Sequence, residues 1–201
     1  DPIREGLVMS LANYIGSVSK NLLFESAQQA RLIKFSSPIV SNTDLNKLRN
    51  LTEENFKHID IPIVFEANSK NPGQALETAL NEICMKAEMA VDRGINFLIL
   101  SDRNINKDFA PIPSLLATST VHHHLIRTRK RMQIGLIVET GEACEVNHIA
   151  LLVGFGASVV NPYGTFAVLE KMCATGKIKI EYVEARENYY KAVNKGLLKI
   201  L

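Results

Sequence analysis

The chain has 201 residues, of which 46% are hydrophobic and 22% charged, and its 23 lysines and arginines against 21 aspartates and glutamates leave a formal net charge of +2. These proportions are those of an ordinary folded domain and exclude disordered, collagen-like and coiled-coil classes. A charge so small and scattered also excludes capture of a nucleic acid or an anionic membrane by electrostatics alone.

Residues 1–70 read as an irregular segment wrapping the rest of the same domain: a helix from Ile3 to Ile15, then strands around Ile33–Phe35 and Ile59–Phe65, with Pro62 pushing the second strand toward an edge or bulge. Residues 71–201 read as a β/α core. Asn71 before Pro72 is an N-cap followed by a proline at the first helical position. Leu76, Ala79, Leu80, Ile83, Ala87, Ala90 and Val91 then form one apolar stripe that ends at the C-cap glycine Gly94. Phe97-Leu98-Ile99-Leu100 is too short for a helix and apolar throughout, as expected of a strand buried on both faces. The alternation continues with a helix at Ser114–Lys130, a strand at Ile134–Val138, a helix at Glu142–Val153 and a strand at Ala157–Val160. A strand at Ile178–Val183 and a last helix carrying Tyr190, Val193, Leu197 and Leu201 complete it. Helix-separated strands predict an α/β fold with a mostly parallel sheet, its three central strands neighbours in one barrel-like layer.

Three widely spaced cysteines, Cys84, Cys144 and Cys173, show no Cys-x-x-Cys spacing, which argues against a disulfide framework or a zinc site and for a reducing cytoplasm. No stretch reaches the roughly 18 apolar residues that a membrane span needs, and no export signal is visible. Because the chain opens on Asp1-Pro2 and stops at Leu201 inside an expected helix, it reads as part of something longer.

In parallel α/β folds ligands bind beyond the carboxyl ends of the strands. Those ends carry Ser101, Asp102 and Arg103; Glu139, Thr140, Gly141 and Glu142; and Asn161, Pro162 and Tyr163. Asp102 and Glu139 suit shared acid/base work on a small ligand, or a charge network with Arg103; the alternative is capping and loop hydrogen bonds with an ion pair. His122, His123 and His124 point about 100° apart on a helix and cannot converge on one metal. Gly154-Phe155-Gly156 ends a helix instead of opening one, so a C-cap and tight turn is expected rather than a phosphate loop. Cys144 with His148 four residues on reads either as a nucleophile and base or as a packed, inert thiol, the latter weighing more.

Taken in order, Asp1-Pro2-Ile3-Arg4-Glu5, Leu7-Val8-Met9-Ser10, Ile99-Leu100-Ser101-Asp102-Arg103, Pro111-Ile112-Pro113-Ser114-Leu115-Leu116-Ala117, Val121-His122-His123-His124-Leu125-Ile126, Val138-Glu139-Thr140-Gly141-Glu142-Ala143, Gly154-Phe155-Gly156-Ala157 and Asn161-Pro162-Tyr163 resemble the central domain of the glutamate synthase large chain. The resemblance runs to Lys195-Gly196-Leu197-Leu198-Lys199. It departs at Cys144 and Asn147, where arginine and histidine are expected. It implies a connecting domain, barrel-like in topology but incomplete or degenerate, between a glutaminase domain and an FMN domain, helping to wall an ammonia tunnel. It also implies no catalytic, cofactor or metal residue in this segment, which would be inactive alone; FMN and an iron–sulfur cluster would sit in the neighbouring domain, and electrons would come from a small subunit or ferredoxin. Ser101, Asp102, Arg103, His122, His123, His124, Glu139 and Glu142 are then candidates for a strand-end or interdomain cluster. The competing expectations are a self-contained barrel-like enzyme using Asp102 and Glu139, and a free-standing scaffold.

Overall fold

The computed structural model describes residues 7–16, 27–53 and 56–200. Strand β1 (Asn13–Ile15) pairs antiparallel with β2 (Ile33–Phe35), and helix α1 (Asn42–Arg49) follows. Then come β3 (His58–Pro62), β4 (Val64–Glu66), α2 (Pro72–Asp92), β5 (Phe97–Ser101), β6 (Phe109–Pro111), α3 (Ser114–Arg127), β7 (Gly135–Glu139), α4 (Val146–Gly154), β8 (Val159–Asn161), α5 (Tyr163–Ala174) and α6 (Tyr182–Ile200). The central sheet has four parallel strands in the order β3-β5-β7-β8, so the three expected neighbours are neighbours. Among the described residues it does not close into a barrel. Beyond β8 the backbone of Pro38–Val40 adds a short parallel bridge, Ile39 opposite Val160.

Strand geometry turns alternate residues to opposite faces, and each face has its own cover. Leu98, Leu100 and Leu136 pack with Ile83, Ala87 and Val91 of α2 and Ala117, Val121 and Leu125 of α3. Val138 and Val160 continue that face under Ile149 and Leu152 of α4, Phe166 of α5 and Val193 and Leu197 of α6. Phe97, Ile99, Ile137 and Val159 face the other way, against Leu45 and Leu48 of α1 with Ile15 and Val40. In a closed barrel this second face would look across the interior; here α1 occupies that side.

Several expectations are met in detail. The Asn71 side chain accepts from the Gln74 N–H, Pro72 opens α2, and Gly94 follows it with φ 72°. β3 lies at the sheet edge and Pro62 ends it, with β4 starting after a one-residue break. Other expectations fail. The helix drawn from Ile3 to Ile15 persists only at Leu7 and Val8 among the described residues, and Asn13–Ile15 is strand; residues 1–6 lie outside the described residues, as does Leu201 at the end of the last stripe. Ile178–Val183 is not a strand: Ile180 and Val183 are exposed, and α6 has begun by Tyr182. A strand needs a partner ladder, and the edge of β8 where it would have paired is taken by Pro38–Val40. Helix α4 begins at Val146, not Glu142, because the loop after β7 uses residues 140–145 for the contacts described next.

Candidate functional site

The register aligns Pro62, Ser101, Glu139 and Asn161 in one row at the carboxyl ends of the four parallel strands. By the period of two, Ser101, Glu139 and Asn161 turn to the face covered by α1. Glu139 sits at the centre of the row with a side chain 2% exposed. Its Oε2 accepts from Arg49 Nη2 at 2.7 Å and from the Ser101 hydroxyl at 2.7 Å, and its Oε1 accepts from Arg103 Nε at 2.6 Å. Burial pushes the Glu139 carboxyl upward, but the donors from Arg49, Ser101 and Arg103 outweigh it and hold the group below the usual glutamate range. Arg49, from the last turn of α1, also bonds both oxygens of Asp60 on β3, and its guanidinium is held still more firmly charged. The guanidinium carbon of Arg103 lies over the Tyr163 ring, 3.9 Å from its centroid.

Asp102, one residue on, points away from this row. Its carboxylate accepts from the Thr140 hydroxyl at 2.7 Å and from the Gly141 N–H, pinning the loop after β7. The Tyr163 phenol is pushed well above its usual range by burial and by a hydrogen bond to the Asp102 carboxylate. Glu142 turns to α3, where its Oε2 accepts from the Ser114 N–H and completes a helix start that Pro113 leaves without a side-chain cap. Asn161 donates to the Val40 carbonyl and to Asn42, while its Oδ1 is buried without a partner among the described residues.

The three histidines do not join this cluster. They lie in the last half of α3, toward the opposite end of the sheet. His122 Nδ1 accepts from Arg131 Nε at 2.9 Å, and Arg131 Nη1 and Nη2 donate to the Ile134 and Gly156 carbonyls. Burial, then the charges of Arg131 and His123, lower the His122 pKa. His124 pairs with Glu88, which Lys130 also holds, and His123 is exposed. Gly156, expected as a tight turn, has φ 110°, and an added Cβ would collide with the His122 ring.

Cys144 is exposed, so the packing expected of its thiol is not found. The nucleophile alternative gains little. His148 Nδ1 lies 3.5 Å from the Cys144 sulfur, but it already accepts from the backbone N–H groups of Cys144 and Glu145 as the capping-box partner of α4. That lone pair, which a general base would use, closes the helix start instead. Among the described residues no group of three or more histidine, cysteine, aspartate or glutamate side chains is placed to hold a metal. At the start of α5, Gly164 packs so closely on the Gly141 backbone that an added Cβ would strike the Gly141 carbonyl.

Arg49 and Asp60 are not among the residues expected at the strand ends. No local signal marks them, since Arg49 and Glu139 lie 90 positions apart. The period of two within the strands does separate Ser101 and Glu139 from Asp102.

Residues 1–201 match the family model described as glutamate synthase central domain. The chain is 37% identical over 201 residues to the glutamate synthase (NADPH) large chain of Bacillus subtilis, 37% to the glutamate synthase (NADH) of Schizosaccharomyces pombe over 205, and 38% to the ferredoxin-dependent glutamate synthase of Pyropia yezoensis over 215. Each alignment takes in all of this chain but only 13%, 10% and 14% of the respective relative. With a family match over every residue and full-length alignments to such relatives, the chain belongs to the glutamate synthase central domain family.

Proposed function

We propose that this chain serves as the connecting domain of a glutamate synthase, joining a glutaminase domain to an FMN domain and helping to wall the path of ammonia between them during L-glutamate synthesis from glutamine and 2-oxoglutarate. The observation that carries this is the commitment of Glu139. Of the strand-end acids it is the most deeply set, and both its oxygens are held by Arg49, Arg103 and Ser101. A general base needs an oxygen within reach of a substrate proton, and an acid needs a raised pKa; Glu139 has neither. Asp102 is likewise bound to Thr140 and Gly141, so a self-contained enzyme using this pair is disfavoured.

On this proposal chemistry belongs to neighbouring domains: the glutaminase nucleophile to one, FMN and an iron–sulfur cluster to the other, with electrons from a small subunit or ferredoxin, all in the cytoplasm. The segment alone should therefore leave FMN fluorescence unchanged when titrated into it, and saturable quenching at micromolar concentration would count against the proposal. The fuller test is in the intact enzyme. Glutaminase activity, ammonia-dependent synthesis and glutamine-dependent synthesis are measured for Asp102→Ala and Glu139→Ala. The first two should survive and the third fall. Loss of ammonia-dependent synthesis in a folded variant with FMN bound would assign these residues to catalysis.

A further inference from the structure

Between the starts of α3 and α4 lies a cavity of about 220 Å³ lined by Ser114, Leu115, Glu142, His148, Leu151 and Leu152, with Ala143 at its base. It is small for a substrate pocket but the size of one long side chain. Its surroundings are unusual for the outer layer of an α/β fold. Leu151 of α4, in the cavity wall, is 47% exposed, while Phe155 at the C-cap of α4 and Leu116 on α3, next to the lining residue Leu115, are 41% and 39% exposed. Exposed apolar side chains on and next to the two helices that frame the pocket suit a surface that another polypeptide covers.

The polar atoms of the cavity indicate what enters it. Glu142 Oε2 is taken by the Ser114 N–H, while Oε1 has no partner among the described residues. His148 Nδ1 is taken by the backbone N–H groups of Cys144 and Glu145, so Glu142 Oε1 is left as the side-chain acceptor. One free carboxylate oxygen above leucine walls suits an aliphatic stem ending in a compact cation. A guanidinium, which gains most from binding both oxygens, would be held by only one.

We propose that this cavity is a socket for a lysine side chain of an adjoining domain, with the stem along Leu115, Leu151 and Leu152 and the ammonium on Glu142 Oε1. This rests on the connecting-domain proposal and adds the face through which the connection is made. Snorkelling lysines bury their stems in this way, and a single anchored side chain fixes the register of an interdomain contact.

Carbodiimide coupling in the full-length enzyme carrying this segment tests it, because the reagent joins a carboxylate directly to an amine in contact with it. The expected product is a peptide containing Glu142 linked to a lysine outside residues 1–201, absent from Glu142→Gln. Capping of Glu142 by added glycine ethyl ester as completely as Glu187, whose side chain is 53% exposed, would overturn the socket. So would a link confined to this same segment in a second copy. Either result leaves the connecting role standing, since that is read from ammonia transfer and not from this contact.

Discussion

A glutamate side chain 2% exposed, held by two guanidinium groups and a hydroxyl, is tied to its partners more closely than to any function of its own. Removing it leaves Arg103 and Arg49 short of an anion, although Arg49 keeps Asp60 and Arg103 reaches solvent. Glu139→Ala should therefore cost about 2–3 kcal/mol in urea unfolding, toward the low end for breaking a buried pair. The folded-state pKa is depressed, so this stability is present above the unfolded glutamate value and is lost as pH falls below about 4. His122 acts in a higher window. Its folded pKa is also lowered, so its contribution is present above about 6.5 and is lost as pH falls through the lower folded value. Unfolding free energies at pH 7.5 and 5.5 should differ more in the native chain than in His122→Gln. At Gly156, a φ of 110° and the His122 ring both oppose a side chain, and Gly156→Ala should cost about 2 kcal/mol by the same measurement.

Among the elements, α1 decides whether the sheet has a second face. Leu45 and Leu48 are its buried residues, and Arg49 carries its end to Glu139. Leu45→Ala should cost about 3 kcal/mol, as for other leucines removed from a core, and loosen the Arg49 pair with it. Much of the core was legible before any coordinates. The stripe of α2 and the buried runs of β5 and β7 have one period or none, and their neighbours agree with it. Helix α5 was not, because Phe166 alone is buried while Val168 is 58% exposed, so no stripe announces it. The alternation at residues 178–183 looks like a strand, but a strand exists only where an edge is free to pair. For the site, chain order gave the strand ends and hence Ser101, Arg103 and Glu139. It could not give Arg49, which arrives through the packing of α1, nor separate the histidines from the row, since that depends on which end of α3 faces which end of the sheet.

At the scale of the molecule, an α/β sheet that does not close and has one face stopped by α1 suits a domain whose strand ends hold structure and whose outer helices meet neighbours. The chain corresponds to 10–14% of the length of the relatives compared with it. The most direct measurement follows the nitrogen. The full-length enzyme carrying this segment is given glutamine labelled with nitrogen-15 in its amide, 2-oxoglutarate and reductant, together with an excess of unlabelled ammonium, and the label in new glutamate is read by mass spectrometry. With the native segment, glutamate should keep the amide label despite the ammonium. With Glu139→Ala, unlabelled nitrogen should enter while glutaminase activity and ammonia-dependent synthesis persist. Full retention of label in that variant, or loss of its ammonia-dependent synthesis with FMN still bound, would contradict a connecting and channelling role for this domain.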